Sequence, residues 1–455
     1  MPNRRQPNAS LRAALAEADW SHAQLLRCVA QIAAENGWDV SHDRSVVSHW
    51  LCGVQPRPHT ARLVAEALTR RLNRAITPPD LGWSDGPHAS GAAADGCQGA
   101  AAVSELCAAE ADPRRAADLR ATPYQAALAR PTPWTAPHPA RPRSPREAAD
   151  RVGTAEAEEV ERMARAFHQA LTSFGGAHAR RSLSCYLREE VTGWLRADSG
   201  EEAHRRLLRG AAQLAFLLAQ SCVDDLAHHL AQRYHRLALR LAREADAPDL
   251  YAVTVRAMSA HAQSLGHHRA ALRLAAAACE VPVPRGQTGI RSFLLAQRAV
   301  TRARAGERRA ALADLDAALE AHQAQQAGSA GPFVRYPFAA LAFQQARTWR
   351  ALGDTDGAVA AFQTSLEHRD GGQYRPRVLA GAALAELHLL RGDVPEACQA
   401  ADSAFAEGLR LQSARTARDL ALLRRRLSGY RGSEPVRDLL RRHPLPRRAA
   451  PRRLV

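Results

Sequence analysis

The stretch LGHHRAAL at residues 265–272 recurs in altered form as AGERRAAL at 305–312, LGDTDGAV at 352–359 and RGDVPEAC at 391–398. Each copy has a glycine and, five residues later, an alanine. A small residue stands twelve positions after each glycine. A weaker fifth copy has Leu226 at the glycine position, and successive copies are 40, 40, 47 and 39 residues apart.

A fixed period of this length, with one turn and two helices per unit, predicts a helical solenoid. The glycine ends the first helix of each unit, and the small residues let the two helices approach closely. The pattern resembles tetratricopeptide repeats with a lengthened period. An ordinary helical bundle with accidental matches is the alternative. Residues 411–427 are predicted to form a terminal capping helix, whose apolar side faces the array with Leu411, Leu420, Leu423 and Leu427.

The chain as a whole is predicted to be all-α, because β-branched residues are sparse and never alternate for long. Residues 1–83 are predicted to form a five-helix bundle. Residues 84–152, with nine of the 26 prolines, are predicted to be a flexible Pro/Ala-rich linker with a brief helix near Val103–Ala109. Residues 153–429 hold the tetratricopeptide-like array, and residues 430–455 form a basic Arg/Pro-rich tail.

Composition points to an anionic partner. The 455 residues carry a net charge of +16, and all 62 basic residues are arginine. Residues 410–455 alone hold 14 arginines and three acidic residues. The eight cysteines form no CxxC pair, and no secretory signal is evident, so we expect a reduced, cytoplasmic protein. The longest weakly polar run, at 211–223, is too short to span a membrane.

The N-terminal block contains well-marked helix boundaries. Ser21 and Gln24 have the spacing of a capping box at the start of the second helix. Asp43 is a favourable N-cap for the third helix, in which Val47, Trp50 and Leu51 share the packed face. A fourth helix is predicted from Thr60 to Leu72, and a short fifth helix in TPPDLGW at 77–83.

The opposite face of the third helix carries polar side chains that suit base edges and phosphates. Pro56 and Pro58 hold a further arginine on a stiff loop. The predicted DNA-binding residues are Arg44, Ser45, Ser48, His49 and Arg57. The alternative is a five-helix bundle that binds protein.

Residues 8–83 resemble the XRE-type, lambda-repressor-like helix-turn-helix domain, in which the recognition helix has Val-Ser-x-Trp-x-x-Gly. Val47–Gly53 reads VSHWLCG in that register. The resemblance implies that Ser48 and its neighbours read bases and that Trp50 lies in the core. The family joins helices two and three by a tight turn, whereas residues 37–43 intervene here.

The domain order also resembles bacterial regulators of high-GC Gram-positive bacteria, which join an XRE-type domain to a tetratricopeptide-like array. Residues 227–244 and 411–427 resemble that group's first repeat and terminal helix. The resemblance implies transcriptional control, such as control of development or secondary metabolism. The expected partners are double-stranded DNA, a second copy in a homodimer, and a peptide or protein in the groove of the array. A scaffold that binds proteins and no DNA is the alternative function.

No catalytic motif was found, since GxxxxGK[ST], GxGxxG, GxSxG and HExxH are all missing. We therefore expect no enzyme activity and no cofactor. His228, His229 and His235 lie close together on one helix, but no carboxylate or thiol stands at a suitable spacing. They are predicted to be packing or exposed histidines, with no metal site.

Overall fold

A computed structural model describes residues 6–40, 42–43, 45–84, 99–130, 133–134, 151–325, 336–444 and 452–453. The protein is all-α, as predicted, and its helical pairs stack consecutively in a solenoid-like array. The strands in the described residues are each two residues long and form two parallel pairs: Trp38–Asp39 with Arg452–Arg453, and Arg151–Val152 with Asp198–Ser199. No helix in these residues is both long and apolar enough to cross a membrane.

The N-terminal unit, residues 6–84, is a small helical bundle around one core. Its helices are α1 (Ala9–Ala18), α2 (His22–Glu35), α3 (Ser45–Leu51) and α4 (Pro58–Leu72), followed by a 3₁₀ turn at Pro79–Leu81. The predicted capping box is confirmed: Ser21 Oγ accepts from the Gln24 backbone N–H, and Gln24 Oε1 accepts from the Ser21 N–H. Both satisfy N–H groups that the first turn of α2 leaves without helical partners.

Two predictions for this unit were wrong in detail. Helix α4 begins at Pro58, two residues before the predicted Thr60 cap, because proline at the first helical position has no N–H to satisfy. The predicted fifth helix is only the 3₁₀ turn. Asp80 accepts hydrogen bonds from both the backbone N–H and the hydroxyl of Thr77, and Gly82, at φ +73°, ends the turn at once.

The prediction of a flexible linker over 84–152 is wrong for residues 99–130. This part forms α5 (Gly99–Ala111) and α6 (Pro113–Ala121). Val103, Leu106 and Cys107 are buried in the main core of the solenoid, and Tyr124 is 2 % exposed. Residues 99–111 are rich in good helix formers and contribute a stripe of apolar side chains. The prolines that suggested a linker are concentrated at 131–145, which lie almost wholly outside the described residues.

The solenoid begins with α7 (Thr154–Phe174), α8 (Gly176–Tyr186), a π-helical turn at Leu187–Val191 and α9 (Thr192–Arg196). Gly175, at φ +92°, ends the first of these helices. Five helical hairpins follow: α10 (Glu201–Asp224) with α11 (His228–Glu244), α12 (Pro248–Ser264) with α13 (His268–Glu280), α14 (Thr288–Arg304) with α15 (Arg308–Gln323), α16 (Phe338–Ala351) with α17 (Thr355–Glu367), and α18 (Tyr374–Arg391) with α19 (Val394–Gly408).

The repeat motif occupies the turn of each hairpin in the predicted way. The four glycines Gly266, Gly306, Gly353 and Gly392 have φ of +83°, +82°, +82° and +84°. Leu226, the replacement in the fifth copy, also has positive φ, at +59°. The alanines five residues later are fully buried between the paired helices, and they are Ala231, Ala271, Ala311, Ala358 and Ala397. A side chain with no more than a Cβ allows the close approach that the period requires.

Gly306→Ala is expected to destabilise the protein by about 1–2 kcal/mol, the cost of a left-handed conformation for a residue with a Cβ. No neighbouring atom lies within 4 Å of the added Cβ, so the cost comes from the backbone alone. Gly286→Ala is the matched control, since it also meets open space but has no positive φ. Urea unfolding of the two variants measures the difference, and an equal effect would contradict this account of the turn.

The C-terminal part of the described chain continues the helical packing. The capping helix is α20 (Ala414–Leu427), and Leu423 and Leu427 on its predicted apolar side are fully buried, while Leu420 packs at the edge. The prediction of a tail from residue 430 is wrong for α21 (Glu434–Arg442), because Val436 and Leu439 are buried in the same cluster as α20. Two apolar residues at helical spacing anchor this segment despite its arginines.

The two ends of the solenoid meet. The backbone N–H of Gln412 donates to the carbonyl of Phe174 at 2.7 Å, and the Ala177 N–H donates to the Gln412 carbonyl at 3.1 Å. Arg375 pairs with the buried carboxylate of Asp224 at 2.7 Å. These contacts join the α7–α8 corner and the end of α10 to α18 and the start of α20, so the array curls around its concave side.

Candidate nucleic-acid interface

Helix α3 is anchored to the N-terminal unit by its apolar side. Val47 is fully buried and Trp50 is 3 % exposed, with Leu51 half-buried beside them. The Trp50 ring lies edge-on between the rings of His42 and Trp83, at centroid distances of 5.9 and 6.1 Å. These contacts, which follow from the i, i+3, i+4 spacing of the three residues, hold the short helix in a single orientation.

The ends of α3 are set by local sequence. The Asp43 carboxylate accepts a hydrogen bond from the Ser45 backbone N–H at 3.0 Å, as expected for a residue that caps the helix start. At the other end, Gly53 has φ +90°, and the Val54 N–H donates to the carbonyl of His49. The polypeptide therefore leaves α3 sharply and enters the proline-bracketed loop.

Three of the predicted DNA-binding residues form one exposed surface. Ser45, Ser48 and His49, called here the reading face, are all solvent-exposed on α3 and share one side at i, i+3, i+4 spacing. Their hydroxyl and imidazole groups can both donate and accept hydrogen bonds. Arg44 lies outside the described residues.

Arg57 is exposed at the N-terminal cap position of α4, six residues after α3 ends. Pro56 before it is buried, and Pro58 after it opens the helix, so the backbone on both sides is fixed. Burial, with a further contribution from Arg57, lowers the pKa of the neighbouring His59; burial also lowers the pKa of His42. These two histidines are neutral at pH 7, so arginine carries the charge of this loop.

The connection between α2 and α3 is not a tight turn. Gly37 ends α2 at φ +70°, and Trp38 inserts its ring into the core of the unit at 8 % exposure. The segment then passes through the short strand Trp38–Asp39 before Asp43 caps α3. A buried tryptophan thus fixes the position of this longer connection between α2 and α3.

Sequence reasoning missed two arginines of the N-terminal unit. Arg12 on α1 and Arg27 on α2 are exposed and, among the described residues, have no ion-pair partner. Arg12 lines a shallow cleft of about 550 Å³ together with His22 at the start of α2 and Leu51 at the end of α3. The apolar stripes of α1 and α2 would have marked both arginines as exposed, but only the packing brings Arg12 close to α3.

The N-terminal unit is docked on the rest of the chain through α2 and α4. The Glu35 carbonyl, at the end of α2, accepts from His228 Nε2 at 2.9 Å and from Arg418 at 3.4 Å. On α4, Arg62 pairs with Asp118 at 2.6 Å, and Glu66 accepts from the Ala126 backbone N–H at 3.1 Å. The reading face takes no part in these contacts and stays open to solvent.

A largely buried ion-pair network inside the N-terminal unit lies next to the docking contacts. Arg70 forms a bidentate pair with Glu35, with both N–O distances 2.9 Å, and its Nε lies 2.9 Å from Glu66. Burial raises the pKa of Glu66 to about 7, although Arg70 and the Ala126 N–H act in the opposite direction. Tyr124, from the segment after α6, is packed against the rings of His261 and His267.

Comparison with known protein families gives a match in the N-terminal unit. Residues 11–84 match the family model of the SP15 N-terminal domain, to which this part of the chain is similar. The match covers α1 to the 3₁₀ turn and includes the reading face and Arg57. No curated protein matches the chain.

Proposed function

We propose that the protein is a DNA-binding transcriptional regulator, such as one of development or secondary metabolism. Its N-terminal unit reads an operator through α3, and its solenoid mediates dimerisation or senses a peptide or protein. The observation that carries the proposal is the reading face, a polar, exposed side of a helix whose other side is anchored by Val47 and Trp50. A helix presented in this way fits the width of the DNA major groove.

The distribution of charge supports the same function. Arg12, Arg27 and Arg57 are exposed without ion-pair partners among the described residues, whereas Arg62, Arg70 and Arg74 are paired with carboxylates. The unpaired guanidinium groups suit phosphate contacts, which position a protein on DNA, and the reading face suits base contacts, which give specificity. A homodimer belongs to this proposal, since one short helix reads only a few base pairs. A cytoplasmic location belongs to it as well.

Arg57→Ala is expected to weaken DNA binding and to reduce the slope of log K against log [salt] by about 0.9, the contribution of one phosphate contact. Fluorescence anisotropy with a labelled duplex at several salt concentrations measures the slope. Arg74→Ala is the matched control, because Arg74 is exposed but already neutralised by Glu17 at 2.6 Å. An unchanged slope for Arg57→Ala would remove this residue from the interface.

A protein-interaction scaffold without DNA binding is the second candidate. It is favoured by the modest charge of residues 1–75, which hold ten arginines and six acidic residues. Chromatin recovery and protein pull-down with the same tagged full-length chain separate the two functions. Recovery of specific DNA fragments that is lost when the reading face is changed to alanine supports the regulator, and recovery of proteins alone supports the scaffold.

A further inference from the structure

The concave side of the solenoid encloses a groove of about 650 Å³, a volume typical of small-molecule sites. It is bounded by the first helices of the hairpins, from α10 to α18, and by α20, which the curled array brings together. Eight arginines line it: Arg256, Arg304, Arg347, Arg350, Arg369, Arg375, Arg415 and Arg418. The acidic residues of the lining are Glu386 and Asp419.

Four of these arginines have carboxylate partners inside the protein. Arg350 pairs with Glu386 at 3.0 Å, and Arg375 pairs with Asp224. Arg415 and Arg418 share Asp419 at 4.0 and 3.3 Å. These pairs fix the walls of the groove and leave little negative charge for the other four.

The remaining four arginines have no carboxylate partner among the described residues. They are Arg256, Arg304, Arg347 and Arg369. Arg256 is half-buried with its guanidinium 3.8 Å from the centre of the Phe293 ring, and its Nε is buried without a hydrogen bond. The Nε of Arg369 is likewise buried without a hydrogen bond.

Arg347 lies at the centre of this charge. Its guanidinium donates a hydrogen bond to Gln344 Oε1 at 3.0 Å. Burial, and then the positive charges of Arg415, Arg256 and Arg304, lower its pKa to about 9. Desolvated like charges of this kind cost folding free energy unless a negative group joins them.

We propose that this groove binds a compact small molecule with at least two negatively charged groups, phosphates or carboxylates, held between Arg256, Arg304 and Arg347. Forked guanidinium groups bind either kind of oxyanion with two parallel hydrogen bonds. The chain's own segment 445–455 is not a suitable occupant of this arginine-lined groove, since its charged side chains are all arginines. The inference goes beyond the sensing role proposed for the solenoid, because it names a small anionic ligand for the groove. It does not depend on DNA binding.

The test is isothermal titration calorimetry of the full-length chain with three probes at one ionic strength: tripolyphosphate, citrate and an acidic hexapeptide. We expect tripolyphosphate or citrate to bind, and the tighter of the two identifies phosphate or carboxylate as the recognised group. Arg347→Met should weaken that binding at least tenfold. Because it removes a half-buried cation that has no carboxylate partner among the described residues, the same variant should melt at the same temperature as the parent or higher.

Two exposed arginines provide matched variants that do not put folding at risk. Arg304→Ala, at the groove, should weaken binding, and Arg309→Ala, exposed on α15, should not. Equal weakening by both would mean that the anions bind the basic surface at large, and this would overturn the proposal. Binding of the peptide alone, or of none of the probes, would overturn it too. The outcome of operator selection with the same variants is independent of the outcome of this binding test, because the reading face lies on another unit.

Discussion

Acidification from pH 7.5 to pH 5 is expected to destabilise the protein by several kcal/mol, because a cluster of histidines is buried in neutral form. His228, His229, His235 and His261 are at most 8 % exposed. Burial lowers the pKa of His228, His229 and His235 to about 3, and it also lowers the pKa of His261 well below its ordinary value. In the unfolded chain each histidine titrates near its ordinary pKa of about 6.5.

The sign follows from proton binding. Below pH 6.5 the unfolded chain takes up protons that the folded chain excludes, so stability is fully present above pH 6.5 and is lost as the pH falls. Each histidine contributes about 1.4 kcal/mol for each pH unit in this range. Glu66 acts oppositely, since its raised pKa of about 7 favours the folded state at low pH, but one carboxyl group cannot offset four histidines.

The geometry fits the neutral form. His228 Nε2 donates to the Glu35 carbonyl, so its Nδ1 is left to accept the proton of His261 Nε2 at 2.9 Å. Protonation of His228 would break this chain, and the surrounding Arg415, Arg418 and Arg70 would repel the new charge. The contact between the N-terminal unit and the solenoid is therefore among the first that acid should weaken.

Urea unfolding at pH 7.5, 6.5, 5.5 and 5.0 measures this effect. His229→Leu should reduce the dependence of stability on pH by about 1.4 kcal/mol per unit, because one excluded proton is removed. The ring Nδ1 of His229 has no hydrogen-bond partner among the described atoms, so the substitution breaks no known bond there. His268→Leu, at an exposed position on the neighbouring hairpin, is the control. Stability that is flat from pH 7.5 to 5 would contradict the prediction.

Arg70→Met is expected to destabilise the folded chain by about 3–5 kcal/mol at pH 8, since it leaves two buried carboxylates without their cation. The side chains of Arg70, Glu35 and Glu66 are 14, 11 and 5 % exposed. The loss should be smaller at pH 6, where Glu66, with its pKa near 7, is mostly protonated and needs no cation.

Arg74→Met is the matched control, four residues further along the chain and just beyond the end of α4. Arg74 and Glu17 are 53 and 50 % exposed, and such pairs contribute about 0–1 kcal/mol. Chemical unfolding of both variants at pH 8 and pH 6 gives the comparison. Similar small losses in the two variants would mean that the Arg70 network is well hydrated, and the docked arrangement described here would then need revision.

The elements that the sequence predicted well are those set by local chemistry. A glycine at each repeat turn marks a left-handed backbone, and an alanine five residues on marks a close helix contact, so the array could be found from Gly306 and Ala311 and their equivalents. The capping box of α2 and the two faces of α3 likewise depend on residues within one or two turns. Gly53 and Asp43 bound α3 for the same reason.

The elements that were missed depend on distant partners. Helix α5 was expected only as a brief helix near Val103–Ala109 within a linker, because the composition was averaged over a block whose prolines lie mostly elsewhere, and its packing into the core was missed. The closure of the array through Gln412 and Phe174 results from the summed curvature of five hairpins, which no single motif encodes. The arginines of the groove come from five separate helices and the loop after α17, and only that curvature brings Arg256, Arg347 and Arg415 together.

The most direct test of the account is selection of DNA from a randomised pool by the full-length protein at near-physiological salt. The comparison is a Ser45→Ala, Ser48→Ala, His49→Ala variant, which keeps the buried docking contacts that removal of the N-terminal unit would break. The account predicts that the parent enriches one motif, with two-fold symmetry, and that the equally stable variant enriches none. Enrichment of the same sequences by both proteins, or of no motif by the parent, would contradict the claim that α3 reads DNA.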